Sequence, residues 1–287
     1  MKNIIVSTDL TINCDRALER AIKIAKSSGA KLHVVHVAPI YLLPGKVSET
    51  ETLKQDKEEL IRSHLSSYAG AEALKPTIHV IEGGNAFAEI IAISKKLNAD
   101  LIVMGLHNKL GFRDMFIGTT VERVIRKGLK PVLMVKDKPK GDYGRVVAGC
   151  DFSDSARKSF NFALKLAPRA HIDLVHSYDF ADTLTGQKIE TYAGDIIEGM
   201  EKKQLDKFVK ESADVLTKYK VSDTKFSHKI VKGSPQVVLA EEVKKEHADL
   251  LAIGVNSRAG FAHSKLGGVA EDILANPPCD VLITSGL

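Results

Sequence analysis

The sequence predicts an α/β protein made of two doubly wound parallel-sheet domains in tandem, each with five strands. Three observations predict it. The chain has 287 residues, more than one ordinary domain and enough for two medium ones. Short β-branched runs alternate with helical patterns, which is the signature of βαβ units. And the chain repeats itself. Ala99–Gly105 (ADLIVMG) returns as Ala248–Gly254 (ADLLAIG), with the glycines 149 residues apart. Gly84 and Gly233, Asp100 and Asp249, and Gly118 and Gly267 keep that offset, while Asn3–Asp9 matches Arg145–Asp151 at an offset of 142. The second half therefore carries about seven extra residues, expected around Phe180–Gly199. The boundary falls in Asp137–Gly144, a charged stretch punctuated by Pro139, Gly141 and Gly144, so the domains are expected to span residues 1–138 and 144–287.

The elements of the first copy follow in order. Asn3–Thr8 is a continuous apolar run, as a buried parallel strand requires. Asp15–Ser28 places Ala17, Leu18, Ala21, Ile22 and Ala25 at helical spacing, with Gly29 as its stop. Lys31–Val37 is a second strand, and a polar stretch leads into a helix near Thr50–Tyr68. Thr77–Ile81 is the third strand, Ala86–Leu97 a helix with apolar Ile90, Ile91 and Ile93, and Leu101–Met104 the fourth strand. Thr119–Lys127 is the last helix and Pro131–Val135 the fifth strand. Right-handed crossovers then give a sheet covered on both faces. Ligands of such sheets sit at the carboxyl ends of the strands, where strand order reverses.

Composition narrows the function. There are 41 basic and 36 acidic residues, a net charge of +5 with no block of like charge, so nucleic-acid binding has little support. Cys14, Cys150 and Cys279 are widely separated and form no CxxC pair, which fits a reduced cytoplasmic compartment. No apolar run approaches the roughly 20 residues of a membrane span, and the N-terminal apolar run is too short for a signal peptide.

The chemistry lies after the fourth strand. Gly105 lets the backbone leave the strand without a side chain in the way. A loop then reaches Gly118-Thr119-Thr120, which opens the last helix and offers backbone N–H groups and hydroxyls to an anion. There is no GxxxxGK[ST] and no GxGxxG, so neither a P-loop NTPase nor a dinucleotide-binding Rossmann enzyme is indicated.

This pattern, Gly-x2-Gly-x9-Gly-Ser/Thr after DLIVMG and before VERVIRKGLKPVLMV, resembles the ATP-binding signature of the universal stress protein family. Gly105 fills its first glycine, Gly118 its third and Thr119 its hydroxyl, while Asn108 replaces the second glycine. Asn tolerates left-handed backbone angles better than most residues. The resemblance covers both copies. It implies an adenine-nucleotide α-hydrolase-like fold with strand order 3-2-1-4-5, and a tandem pseudo-dimer in which the last strands of the two copies pair. It also implies a site: Asp9, with Ser7 and Thr8, on the adenosine and ribose side; the backbone of Val37 at the adenine; Met104 and Gly105 at ribose and phosphates; Asn108, Gly118, Thr119 and Thr120 at the phosphates. The cofactor implied is ATP or a related adenine nucleotide, with or without magnesium.

The second copy departs further. Asp151 matches Asp9, Gly254 matches Gly105 and Gly267 matches Gly118, but Ser257 stands at the second glycine, Gly268 at the hydroxyl and Ser177 at Val37. Weaker nucleotide binding, or none, is expected there.

Other residues have plainer readings. Asp9 and Asp151 are also natural caps for the helices that follow. His33 and His36, like His171 and His176, lack the even spacing that puts two residues on one strand face, and no carboxylate cluster joins them, so they read as sheet residues rather than metal ligands. His107, Lys109 and Arg113 are candidate phosphate cations or solvated loop charges. Thr119 has no base at recognisable spacing, so it reads as a cap and phosphate contact, not a nucleophile. Cys150 reads as a small buried hydrophobe. Leu42, Leu43, Ile189, Ile196 and Ile197 read as packing under a long connection rather than as an apolar pocket.

The function expected is stress-response sensing or signalling through an adenine nucleotide, with an unknown protein partner and homodimerisation as further expectations. The alternatives are a slow ATP hydrolase using the same site, and a nucleotide-independent adaptor or small apolar-ligand binder. Asp114 is the one acid in the loop, and no catalytic residue is assigned.

Overall fold

The computed structural model describes residues 1–38, 50–106, 120–127, 130–179, 187–220, 225–255 and 266–285. They form two compact units, Met1–Asp142 and Tyr143–Leu287. In the first, strands β1 (Asn3–Ser7), β2 (Lys31–Ala38), β3 (Thr77–Glu82), β4 (Leu101–Gly105) and β5 (Val132–Val135) alternate with helices α1 (Ile12–Ser28), α2 (Thr50–Ser66), α3 (Ala86–Lys96) and α4 (Thr120–Lys127). Every pairing is parallel, and the order is β3-β2-β1-β4-β5. The order reverses at β1, which lies between β2 and β4. In such sheets that is where a ligand crevice opens.

The second unit repeats the plan. Strands β6 (Arg145–Cys150), β7 (His171–Tyr178), β8 (Phe226–Lys232), β9 (Leu250–Val255) and β10 (Asp280–Ser285) pair in parallel in the order β8-β7-β6-β9-β10. The helices are α5 (Asp154–Leu166), α6 (Gln187–Glu211), α7 (Ala213–Lys218), α8 (Pro235–Lys245) and α9 (Gly268–Ala275). The extra length of this unit is carried by helix and runs past the expected Phe180–Gly199. Helix α6 has 25 residues against 17 in α2, and α7 follows it.

Strands β4 and β5 are buried along their whole length, as parallel strands covered on both faces must be. Gly29 ends α1 in the left-handed conformation, φ 67°, and its N–H reaches Ala25 O. Asn85 caps α3 by accepting from Phe87 N at 3.2 Å, and Ser153 caps α5 by accepting from Ala156 N. Helix α1 starts at Ile12, three residues before the expected Asp15, because it follows directly on the turn that Asp9 closes on Thr11 and not on the apolar periodicity.

Both units tie the start of the first strand in one way. Asp100 accepts from the backbone N–H groups of Lys2 and Asn3, and Asp249 accepts from those of Gly144 and Arg145. The carboxylate just before the fourth strand thus satisfies two strand-end donors.

Candidate functional site

The site is built at the carboxyl end of β1. Val6 is in register with Val103, so Ser7 and Thr8 run on beside Met104 and Gly105, at the ends of two adjacent strands. Val37 lies near the end of β2 on the other side. Thr8 is buried, and its N–H continues the ladder to Val35 O at 2.9 Å. Its hydroxyl accepts from Leu10 N at 3.0 Å. Asp9 is exposed, and its Oδ1 accepts from Thr11 N at 3.0 Å and Thr11 Oγ1 at 2.7 Å, an Asx turn that launches α1. Between them Leu10 takes φ 64°, a conformation that a branched side chain rarely adopts.

His36 completes this end. Its Nδ1 donates to Thr8 O at 2.9 Å, so a buried imidazole on β2 holds the carbonyl just before the turn. The second unit repeats the arrangement. Asp151 Oδ1 accepts from Ser153 N at 3.1 Å and from Ser153 Oγ, Phe152 takes φ 61°, and His176 Nδ1 donates to Cys150 O at 2.7 Å. The ring of Phe152 lies 4.3 Å from that of His176. His36 and His176 were visible in the sequence as sheet residues. Their task as buttresses of the strand end was not, because it depends on which carbonyl the pairing register brings opposite.

Of the residues expected at the site, Ser7, Thr8, Asp9, Val37, Met104 and Gly105 converge on neighbouring strand ends, and Thr120 opens α4. Asn108, Gly118 and Thr119 lie outside the described residues, as do His107, Lys109, Arg113, Asp114 and Ser257.

The two helix starts differ electrostatically. In α4 the first-turn acid Glu122 is buried and paired with Arg126, at 2.7 Å to Nε and 2.6 Å to Nη2. In α9 the counterpart Glu271 accepts from Leu266 N at 3.2 Å, and no arginine follows it four residues on. Gly267 is exposed with φ 91°, and Gly268 is exposed. One turn past this acid a guanidinium pairs with it in the first unit, and alanine stands at that position in the second. The i, i+4 spacing of Glu122 and Arg126 is a signal the sequence carried.

Gly254 has a packing reason of its own. A side chain there would run into the backbone of Ser155 and Ala156, where α5 crosses β9. Thr284 beside it donates to Ser155 O at 3.1 Å and fixes the same contact.

Two of the three thiols are held in the protonated form by their surroundings. Burial, reinforced by the neighbouring Asp9, pushes Cys14 up to about 12, and burial pushes Cys150 up to about 12. Ile196 is 48% exposed and so does not pack as expected; Leu42, Leu43 and the side chain of Ile189 lie outside the described residues. Among the described residues no group of three or more His, Cys, Asp or Glu side chains is arranged to hold a metal, and no helix is long and apolar enough to cross a membrane.

Comparison with known proteins agrees across the chain. The model of the universal stress protein family matches twice, over residues 1–136 and 142–285. A universal stress protein of Methanocaldococcus jannaschii is 36% identical over 145 residues, which cover 48% of this chain and 84% of that protein. Universal stress protein E of Photorhabdus laumondii is 24% identical over 306 residues, covering 98% of this chain and 94% of its own. A crystal structure of a universal stress protein from Archaeoglobus fulgidus covers 99% of this chain and 98% of its own with a TM-score of 0.69, at 18% identity, a likeness of fold.

Proposed function

The chain belongs to the universal stress protein family, and from that premise we propose that its first unit binds ATP or a related adenine nucleotide, with or without magnesium, as the sensing element of a cytoplasmic stress-response protein. The observation that carries this reading is the convergence at the order reversal of the first sheet. The Asx-turned loop Thr8–Thr11 and the glycine that leads out of β4 leave adjacent parallel strands at one end. Asp9 presents a carboxylate there for ribose hydroxyls, and Val37 offers backbone for the base. The start of α4, its first-turn acid balanced by Arg126, is left favourable to phosphate. In the second unit Ala275 stands where Arg126 does and Gly268 lacks a hydroxyl, so that unit binds nucleotide weakly or not at all. The three cysteines, buried and none of them in a disulfide, suit a reducing cytoplasm. A partner protein or a second copy of the chain would then read the nucleotide-loaded state.

Calorimetric titration of the full chain with ATP tests the reading. Asp9→Asn keeps an oxygen for the turn but removes the charge facing the ribose. It is expected to weaken binding about tenfold or more, as loss of a charged hydrogen bond does. An ATP isotherm unchanged by that substitution would count against the assignment. Release of ADP and phosphate during the titration would favour the hydrolase reading.

A further inference from the structure

The segment that follows β5 and leads to the second unit, residues 136–141, is fastened to helix α1. Lys136 O accepts from Arg16 Nη1 at 2.7 Å, and Gly141 O accepts from Arg20 Nη1 at 2.7 Å. Arg16 and Arg20 stand one turn apart on α1, so one edge of the helix grips the segment near both of its ends. Pro139, between the gripped carbonyls, is buried. Arg20 is only 5% exposed, and a guanidinium so placed persists only where its charge is met by hydrogen-bond acceptors. Bonds from a charged donor are the strong ones, so the chain between the units is no slack tether.

The start of this segment is tied to both halves of the candidate site. Helix α1 is launched by the turn that Asp9 closes on Thr11, and Arg16 lies in its second turn. On the other side, Gly105 is in register with Val135, and the next residue, Leu106, donates its N–H to Val135 O at 3.1 Å. Two successive carbonyls, Val135 O and Lys136 O, are therefore held from the two segments expected to close on a nucleotide, one leaving β1 and one leaving β4. A ligand that bridges two segments takes freedom from both, and what is fastened to them is then held more firmly.

We propose that residues 136–141 form a strap whose hold reports the nucleotide. ATP or a related adenine nucleotide in the first unit joins the Asp9 turn to the Gly105 exit, tightens the grip of Arg16, Arg20 and Leu106, and so passes the loaded state to the chain that enters the second unit. Strap held and strap released are the two arrangements whose balance the nucleotide shifts. This inference rests on the nucleotide reading above.

The test is limited trypsin digestion of the full chain at pH 7.5, with and without millimolar ATP, with cleavage after Lys136 and Lys140 followed by mass spectrometry. Lys138 precedes proline and is not a trypsin site. Cutting requires the strap to leave α1, so ATP is expected to slow it about fivefold or more, the low end of ordinary allosteric couplings. Arg16 is exposed, and Arg16→Met keeps its length but removes its donor. In that variant the strap should be cut faster and ATP should no longer protect it, while calorimetry still shows ATP binding. Full protection of the variant would mean general stabilisation by a bound ligand and would overturn the proposal. Equal cutting with and without ATP, in a wild-type chain that binds ATP by calorimetry, would overturn it and leave the nucleotide reading standing; a chain that binds no ATP would overturn both. The wild-type digests decide even if the variant does not fold.

Discussion

Leu10 and Phe152 hold φ of 64° and 61°, at a cost of about 1–3 kcal/mol each in an L-residue with a bulky side chain. Neither is glycine, so the bend was not legible from residue type. Its cause is the residue before, since the Asx turns of Asp9 and Asp151 fix the chain direction and His36 and His176 hold the carbonyls behind them. The aspartates were legible as capping residues or ligand contacts; the structure shows the turn, and the ligand role is the proposal that rests on it. The pair formed by His33 of β2 and His79 of β3, Nδ1 to Nε2 at 3.2 Å, was hidden for a related reason. Spacing within one strand cannot reveal a contact made across two, and His79 lies 46 residues away. That pair carries a pH prediction. Both rings titrate lower in the fold than the ordinary value of about 6.5 in an unfolded chain. Below that value the unfolded chain takes up protons that the fold refuses. The pair's contribution is therefore present above about pH 6.5 and lost as pH falls beneath it. Urea midpoints at pH 7.5 and 5.5 should drop further in wild type than in His79→Gln; equal drops would remove the pair as a cause. A second residue-scale prediction concerns Cys14 and Cys150. With thiols raised to about 12, neither should react with a disulfide reagent at pH 8 in the native chain, and both should react once it is unfolded in urea.

At the scale of elements, alternating strand and helix patterns were legible to within a few residues, because buried parallel strands read as unbroken apolar runs. Helix starts were less legible, as α1 shows, since caps and turns rather than periodicity decide them. Close approach between elements was least legible. Gly254 stands in the sequence as the match of a loop glycine, yet its place against Ser155 and Ala156 is a demand of packing. Gly254→Ala should force α5 away from β9 and destabilise the second unit by about 1–3 kcal/mol in urea unfolding. Asn85→Ala, which removes the cap of α3, should cost about 1 kcal/mol in the first. The lower end of the second sheet is held by charge, with Asp173 at the position of His33 in the first. Burial opposes the charge on Lys229, but ion pairs with Glu242 at 2.6 Å and Glu246 at 3.1 Å outweigh it and hold the ammonium above its ordinary value.

At the scale of the whole molecule, duplication was the most legible feature, and the structure extends it to Asx turns, strand-end carboxylates and left-handed residues that recur in both units. What the copies do not share is what distinguishes their proposed functions: Arg126 behind Glu122 in one, and Ala275 behind Glu271 with Gly268 at the hydroxyl position in the other. The account's central claim is therefore one nucleotide site per chain, in the first unit. The most direct measurement is to purify the full chain without added nucleotide, denature it, and quantify released adenine nucleotide by mass spectrometry. The account predicts about one nucleotide per chain, lost in Gly118→Val and retained in Gly267→Val. No nucleotide, together with no ATP binding at millimolar concentration, or equal loss in the two variants, would contradict it.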